Sequence, residues 1–149
     1  MIKDKNILII GGSSGIGLAL AEILSPSNSV FVASRSNENL SSLDLNHLPY
    51  DATSAELDTT VLPEELHGFV YCPGSINLRP FKGLSKEAFE KDFQINVTGA
   101  INSLKSVLSR LSASGNASVV FFSTVAVQTG MPFHSSVAAS KGAIEGLTR

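Results

Sequence analysis

A glycine-rich segment near the start of the chain is where residue types and spacing most clearly suggest chemistry. Residues 11–17 read Gly-Gly-Ser-Ser-Gly-Ile-Gly, between an apolar run and a segment with helical spacing. Glycine lets a tight turn approach a diphosphate closely, and the first N–H groups of the following helix attract phosphate. The pattern G-x-x-x-G-x-G differs from the commoner G-x-G-x-x-G. We therefore predict a diphosphate-binding loop, with an ordinary glycine-rich turn as the alternative. The loop comprises Gly11, Ser13, Ser14, Gly15, Ile16 and Gly17.

A serine and an arginine, Ser34 and Arg35, follow the apolar run at residues 30–33. In a dinucleotide-binding fold, an acidic residue at this position binds the ribose 2′-hydroxyl of NAD. A carboxylate would repel a 2′-phosphate, whereas serine with arginine can accept one through charge-assisted hydrogen bonds. The pair predicts that NADP(H) is preferred over NAD(H), unless Arg35 is a plain surface side chain.

Alternating strands and helices are the elements that must position these residues. Short apolar runs predict five strands, and helical spacing predicts three helices. We expect strands at residues 7–10, 30–33, 48–50, 69–72 and 118–122, and helices at residues 18–24, 85–111 and 135–149. This order predicts an α/β fold with a doubly wound parallel sheet and right-handed crossovers. Because such sheets usually have about six strands, we expect residues 1–149 to form a single domain that is the N-terminal part of a longer one.

Several motifs together resemble the short-chain dehydrogenase/reductase family, whose members have a Rossmann-like fold and bind NAD(P)(H). The glycine loop is similar to the family's T-G-x-x-x-G-x-G, with Ile10 in place of the threonine. The other matching positions are Asp51 and Ala52 (the acidic pair that contacts adenine), Gly74 (the glycine of N-N-A-G), Asn96 (the helix asparagine), Thr124 (the catalytic serine) and Lys141 (the catalytic lysine). The resemblance covers the whole chain and implies a truncation after the lysine helix.

The resemblance also implies how such a site works. In the family a tyrosine phenol exchanges the proton and the nicotinamide exchanges the hydride, while the lysine lowers the phenol pKa and binds the cofactor ribose. The serine hydroxyl polarises the carbonyl, and the asparagine supports a water relay. Carried over, Thr124, Asn96 and Lys141 are catalytic, Lys141 also binds the cofactor, and the substrate is a small alcohol or carbonyl compound. The alternatives are a turn-capping threonine, a solvent-facing asparagine and a surface lysine.

Two stretches depart from the family pattern. The N-N-A-G stretch reads Tyr-Cys-Pro-Gly over residues 71–74, and the Y-x-x-x-K motif reads Val-Ala-Ala-Ser-Lys over residues 137–141. Val137 thus occupies the position of the tyrosine, and it can neither donate nor accept a proton. A positioned general acid is typically worth ~10²–10⁴ in rate, so this position decides what the protein can do.

Several explanations for the missing tyrosine stay open. A water held by Lys141 and Thr124 could supply the proton, the protein could bind nucleotide without turning it over, or the tyrosine could have been replaced by engineering. A neighbouring side chain could also supply it, the candidates being His134, Ser135 and Ser136. The main hypothesis is an NAD(P)(H)-dependent oxidoreductase with atypical acid catalysis. The second is a nucleotide-binding pseudoenzyme with a sensing or scaffolding role, and a weaker third is an acyl-transfer enzyme that uses Thr124 and Lys141.

Composition and charge narrow the class of protein. The net charge is −2 and no basic patch stands out, which argues against nucleic acid as a partner. The polar first residues and the short apolar run behind them argue against a signal peptide or a membrane span, so we expect a cytoplasmic protein. The single cysteine, Cys72, provides neither a disulfide nor a thiolate metal site within one chain, and we expect no metal. By resemblance, the long helices predict a homo-oligomer, a dimer or tetramer.

Overall fold

The computed structural model describes residues 2–53 and 56–149 and is built on a five-stranded parallel sheet. The strands are β1 (Asn6–Ile10), β2 (Ser29–Ser34), β3 (Asn46–Pro49), β4 (Gly68–Tyr71) and β5 (Ser118–Phe121). Their order across the sheet is β3-β2-β1-β4-β5, and each neighbouring pair is parallel. The predicted α/β fold with five parallel strands is therefore confirmed.

α-Helices connect β1 to β2 and β4 to β5 and follow β5, and their bounds differ in part from the predicted ones. They are α1 (Gly15–Leu24), α2 (Lys86–Phe93), α3 (Gly99–Ala113), α4 (Ala126–Thr129) and α5 (Ser135–Thr148). The single helix predicted over residues 85–111 is one continuous helical run, but a π turn at Gln94–Thr98 separates α2 from α3. Ser85 starts this run, because its hydroxyl accepts a hydrogen bond from the Ala88 N–H at 3.3 Å.

The sheet is covered on both faces, as alternate residues of β1 and β2 demonstrate. Leu8 and Ile10 belong to one apolar cluster, whereas Ile7 and Ile9 belong to a second. Successive side chains of a strand point to opposite faces of the sheet. The first cluster includes residues of α3 and α5, namely Ala100, Val107, Leu111 and Ile144, and the second includes Ala21 of α1. The sheet is thus wound on both sides, with β1 in its buried centre.

The direction of the connections changes beside β1. The chain passes from β1 to β2 and β3 on one side of the sheet, and then to β4 and β5 on the other. The last residue of β1, Ile10, pairs with Ala33 of β2 and with Tyr71 of β4, so the three carboxyl ends lie at the same edge. In open α/β sheets, ligands bind in the crevice at this reversal of strand order.

Candidate functional site

A cleft of about 390 Å³ opens at the carboxyl ends of β1, β2 and β4. It brings together residues that the sequence had singled out from four separate stretches of the chain. Those that line the cleft are Gly11, Ser13, Ser14, Gly15, Ile16, Gly17, Ser34, Arg35, Asp51, Ala52 and Gly74. Eleven of the twelve expected cofactor-binding residues therefore share one cavity, and the twelfth, Lys141, approaches it at Gly74, as described below.

The glycine loop crosses the floor of the cleft with its backbone tightly packed. Gly11 has φ +76° and donates its N–H to the Ala33 carbonyl at 2.8 Å, which ties the loop to β2. A Cβ added to Gly17 would lie 2.5 Å from the carbonyl oxygen of Gly11, closer than any side chain can approach. Glycine at position 17 is what lets the start of α1 pack against the loop.

The start of α1 presents backbone donors to this cleft. The first hydrogen bond within the helix runs from the Leu18 N–H to the Ser14 carbonyl at 3.2 Å. The N–H groups before Leu18 precede the first helical hydrogen bond, and together with the helix dipole they form an anion site. Ser13 and Ser14 line the same wall of the cleft. Asn39, which the sequence did not single out, donates its amide to the Ser13 carbonyl at 3.0 Å and braces the loop from outside.

The hydroxyl of Ser34 is already engaged at the end of β2. It donates to the Ser36 carbonyl at 2.8 Å and lies 3.1 Å from Nε2 of His47 on the neighbouring strand β3. Ser34 is also buried. Its hydroxyl is therefore already hydrogen-bonded within the protein, whereas the sequence predicted that it binds a phosphate. Arg35, by contrast, is exposed and lines the cleft, so its guanidinium is the charged group of this pair that a ligand can meet.

Asp51 carries a stable negative charge on the same side of the cleft. Its carboxylate accepts hydrogen bonds from the backbone N–H of Thr53 at 2.9 Å and from the Thr53 hydroxyl at 2.7 Å. These bonds, with a smaller contribution from the charge of Arg35, lower the pKa of Asp51 below its usual value. The carboxylate therefore stays ionised and is held as a fixed hydrogen-bond acceptor.

Three of the predicted residues converge at the other end of the cleft. A Cβ added to Gly74 would lie 3.2 Å from Oδ1 of Asn96 and 3.8 Å from Nζ of Lys141. Lys141 is half-buried, and this burial lowers its pKa, although the nearby thiol of Cys72 acts in the opposite direction. The alternative of a fully solvated surface lysine is therefore wrong.

Asn96 lies on the π turn and is fully buried. Its amide donates to the Asp92 carbonyl at 2.8 Å and to the Ser75 carbonyl at 3.3 Å, and its Oδ1 accepts from the Ser75 N–H at 3.4 Å. The alternative of a solvent-facing asparagine is wrong. Asn96 instead holds the loop that follows β4, and this loop forms one wall of the cleft.

Thr124 and Val137 lie apart from the cleft lining. Oγ1 of Thr124 accepts the Ala126 N–H at 3.3 Å, so this threonine caps the turn that leads into the short helix α4. Val137 is buried, with 4% of its surface exposed, in the first turn of α5. His134, one candidate proton donor, is partly buried, and its Nδ1 lies 2.7 Å from the Pro132 carbonyl.

Both tyrosines of the chain have hydroxyls that are engaged in hydrogen bonds within the protein. The Tyr71 hydroxyl donates to the Ile95 carbonyl at 2.6 Å, and burial raises the pKa of Tyr71 far above its ordinary value. The Tyr50 hydroxyl pairs with the Ser103 hydroxyl at 3.0 Å inside the core. Both phenols are structural groups in this arrangement.

The cleft also includes residues that sequence reasoning missed. They are Ile10, Ala33, Tyr50, Thr53, Cys72, Pro73, Ile95 and Phe122. Most of them end a strand or follow one within a few residues, and that position was the signal that could have identified them. Across residues 2–53 and 56–149, no three His, Cys, Asp or Glu side chains cluster as a metal site. In the same part of the chain, no helix is both long and apolar enough to cross a membrane.

Comparison with known proteins finds one family throughout. The family model described as short chain dehydrogenase matches residues 5–149. The chain is 27% identical to a 2,5-dichloro-2,5-cyclohexadiene-1,4-diol dehydrogenase of Sphingobium indicum, over 99% of this chain and 65% of that protein. It is 26% identical to a cyclopentanol dehydrogenase of Comamonas testosteroni, over 99% of this chain and 66% of the relative. The chain thus spans slightly less than two thirds of the length of these relatives.

Solved structures share the fold. A short-chain type dehydrogenase/reductase of Mycobacterium ulcerans superposes with a TM-score of 0.88 at 24% identity, covering 98% of this chain and 60% of the other. A levodione reductase superposes with a TM-score of 0.87 at 24% identity, covering 100% of this chain and 65% of the other. At this level of identity, the likeness concerns the fold of the chain.

Proposed function

This chain belongs to the short-chain dehydrogenase family, and from that membership we propose that its cleft binds NAD(P)(H), with NADP(H) preferred. We propose further that the protein to which it belongs is an oxidoreductase that interconverts an alcohol and a carbonyl compound. Its relatives are named for such reactions, among them the cyclopentanol dehydrogenase and an L-xylulose reductase of Bos taurus.

The observation that carries the proposal is the fit of the glycine loop to a diphosphate. Gly17 is packed against Gly11 so closely that a methyl group is excluded, and the first residues of α1, whose N–H groups precede the first helical hydrogen bond, line the cleft. A diphosphate needs close backbone approach, several N–H donors and a positive helix end, and this corner supplies all three. The strand reversal beside β1 provides the crevice that the rest of a dinucleotide requires.

The preference for NADP(H) rests on Arg35. A guanidinium can bind the 2′-phosphate in a bidentate manner, and β2 ends in Ser34, so the carboxylate that would bind the 2′-hydroxyl of NAD is replaced there. The ionised carboxylate of Asp51 stands on the same side of the cleft and suits the adenine amine, a hydrogen-bond donor.

For catalysis we assign roles to Lys141, Asn96 and Thr124. When bound, the nicotinamide supplies or accepts the hydride. The ammonium of Lys141 binds the ribose hydroxyls and orients a water near Gly74, while Asn96 fixes the wall beside that water. The hydroxyl of Thr124 polarises the substrate carbonyl. Since Val137 has no proton to give, the proton would come from the water held by Lys141, and the resulting hydroxide would take up a proton from bulk solvent.

A second candidate function, a nucleotide-binding pseudoenzyme, is favoured by one observation. The position of the family tyrosine is a buried valine, and both tyrosines of the chain donate or share their hydroxyls in structural hydrogen bonds. Such a protein binds the dinucleotide and reports its presence to a partner or a second subunit. Catalysis and sensing use the same cleft, so binding alone does not separate them.

Turnover measured beside affinity separates the two functions. We would titrate NADPH by calorimetry and follow NADPH oxidation with a panel of cyclic and aliphatic ketones, in the unaltered protein and in Val137→Tyr. The oxidoreductase proposal expects turnover in the unaltered protein. Tight NADPH binding with turnover only in Val137→Tyr supports the pseudoenzyme and contradicts the first proposal.

We also propose that the chain forms a homo-oligomer through its helical face. A second cavity of about 410 Å³ lies between α2 and α5, and Phe93 beside it is 44% exposed. Apolar residues on neighbouring helices, Leu108 and Leu147, are exposed to a similar degree. A second copy of this face would bury them. Light scattering that gives a dimer or tetramer mass supports the proposal, and a monomer mass at high micromolar concentration contradicts it.

A further inference from the structure

A buried carboxylate ties together three segments that are far apart in the sequence. The carboxylate of Asp92, on α2, is 3% exposed. Its Oδ1 accepts the hydroxyl of Ser75 at 2.6 Å, and its Oδ2 accepts the hydroxyl of Ser136 at 2.6 Å. Asn96 completes the group by donating to Oγ of Ser75 at 3.2 Å. We call these four residues, Ser75, Asp92, Asn96 and Ser136, the Asp92 cluster.

The Asp92 cluster joins the loop after β4 to the start of α5. Ser75 directly follows Gly74, which lines the cleft. Ser136 lies in the first turn of α5, five residues before Lys141 on the same helix. The carboxylate of Asp92 therefore bridges the wall of the cleft and the helix that carries the lysine.

Hydrogen bonds alone balance the charge of this carboxylate. In residues 2–53 and 56–149, the ion pairs are Lys86 with Glu90 and Arg149 with Glu145, so Asp92 has no cationic partner there. Burying a charge without a partner is costly, and short hydrogen bonds from hydroxyl groups are what offset that cost. The two serine hydroxyls are consequently held firmly, because releasing either would leave a carboxylate oxygen unsatisfied.

We propose that Asp92 is a positioning residue, which holds Lys141 and the Gly74 wall at the separation that the nicotinamide–ribose half of the cofactor requires. The proposal rests on the proposed function of the cleft. The hydrogen bonds between side chains of the cluster are all donated toward Asp92: Asn96 donates to Ser75, and Ser75 and Ser136 each donate to the carboxylate. Such chains strengthen one another and select a single arrangement. The adenine half of the cleft, around Arg35 and Asp51, lies at the ends of β2 and β3, whereas the cluster lies on the loop after β4, on α2, on the π turn and on α5.

Two ligands distinguish positioning from general stability. NADPH spans the whole cleft, whereas adenosine 2′,5′-bisphosphate can occupy only the adenine half. We would measure the affinity of both by calorimetry in the unaltered protein and in Ser136→Ala, Ser75→Ala and Asp92→Asn. We expect NADPH affinity to fall about tenfold in each variant, since a lost hydrogen bond to a charged group lets the productive arrangement be populated less often. The affinity for adenosine 2′,5′-bisphosphate should change by less than about twofold.

Ser140→Ala is the matched control. Ser140 lies one turn after Ser136 and is equally buried, at 1% exposed, but its hydroxyl bonds to the carbonyls of Ser136 and Val137 within α5. We expect it to leave the affinity for both ligands unchanged. Hydrogen exchange of the ligand-free protein gives a second readout. Ser136→Ala should speed exchange at the start of α5 and in the loop after β4, and leave α1 unchanged.

Each outcome decides the matter. If the variants lost affinity for both ligands equally, or exchanged hydrogen faster without losing NADPH affinity, the Asp92 cluster would contribute only to stability. Either result would overturn the proposal. Unchanged NADPH affinity in Ser136→Ala and Asp92→Asn overturns it as well. If the unaltered protein binds adenosine 2′,5′-bisphosphate and NADPH equally tightly, the nicotinamide half makes no contribution and the proposal fails while the adenine site stands. If the unaltered protein binds neither ligand, the proposed function itself fails.

Discussion

The hydroxyl of Tyr71 donates a 2.6 Å hydrogen bond to the carbonyl of Ile95, on the π turn between α2 and α3. In that turn the N–H of Gly99 bonds to the carbonyl of Gln94, five residues back. A π turn inserts one extra residue into a helix and often marks a functional site. Here the π turn places the buried Asn96 beside the cleft, and the hydrogen bond from Tyr71 ties the turn to the end of β4.

Replacing Tyr71 by phenylalanine should therefore affect stability and spare binding. We expect the free energy of unfolding to fall by about 1 kcal/mol, the usual value of a lost neutral hydrogen bond, as measured by urea denaturation. NADPH affinity should stay within about twofold. The matched variant Tyr50→Phe loses the bond to Ser103 and should behave alike. Loss of turnover in Tyr71→Phe with unchanged stability would instead identify Tyr71 as the proton donor.

Gly17→Ala should damage both folding and cofactor binding. The added methyl would lie 2.5 Å from the Gly11 carbonyl oxygen, and the loop must move away from α1 to make room. Overpacking of this kind typically costs 1–3 kcal/mol, and we expect NADPH affinity to fall at least tenfold by calorimetry.

Gly146→Ala is the control for this prediction. A Cβ added at Gly146, on α5, meets nothing within 4 Å. Alanine is favoured over glycine within a helix by about 0.5–1 kcal/mol, so this variant should be slightly more stable and bind NADPH as the unaltered protein does. If Gly17→Ala behaved like Gly146→Ala, the close packing of the loop would be irrelevant to binding.

Local patterns were enough to predict most of the fold and the place of the glycine loop between β1 and α1. The loop consists of seven adjacent residues. The strands are short apolar runs, and a run that is apolar throughout indicates burial on both faces of the sheet. The sequence could not predict the π turn, because distant partners hold it: Tyr71 bonds to Ile95, and Asn96 bonds to Ser75. Helical spacing alone favours an uninterrupted α-helix there.

Side-chain partners across the sheet explain the remaining differences. Ser34 and Arg35 were expected to act together, but the hydroxyl of Ser34 is used by Ser36 and lies against His47, which comes thirteen residues later. The Asp92 cluster was missed because residues 75, 92 and 136 meet only once the helices are packed. Thr124 makes the turn-capping contact that was weighed as the alternative to a catalytic role. Because its Oγ1 is the acceptor in that bond, its hydroxyl can still donate to a substrate, and the catalytic role stays a prediction.

Arg35→Asp should change the choice of cofactor. The substitution removes the cation proposed to bind the 2′-phosphate and introduces a carboxylate that repels it. Hydrogen bonds to charged groups are worth about 1.5–3 kcal/mol, so we expect NADPH to bind roughly 10- to 100-fold more weakly while NADH affinity is kept or improved. Arg79→Asp makes the same charge change on the exposed loop after β4 and should leave both affinities alone. Equal loss of both cofactors in Arg35→Asp would contradict the assignment.

Cys72 should be a slow nucleophile that the cofactor protects. Burial raises the pKa of its thiol to about 11, although the charge of Lys141 acts in the opposite direction. A raised thiol pKa keeps the sulfur protonated and unreactive at neutral pH. We expect alkylation by iodoacetamide to accelerate with pH without levelling off below about pH 10, and NADPH to slow it because Cys72 lines the cleft.

The urea-unfolded protein is the reference for this experiment. Its alkylation rate should level off near the ordinary thiol pKa, since unfolding removes the burial. A folded protein whose rate levels off at the same pH, or whose rate is indifferent to NADPH, would contradict the position of Cys72 in the cleft.

Calorimetric titration of the purified protein with NADPH and, separately, with NADH tests the central claim most directly. If the backbone N–H groups at the start of α1 bind a dinucleotide diphosphate, NADPH should bind with one site per chain and a dissociation constant below a millimolar, more tightly than NADH. The account is contradicted if neither dinucleotide gives a binding signal at millimolar concentration.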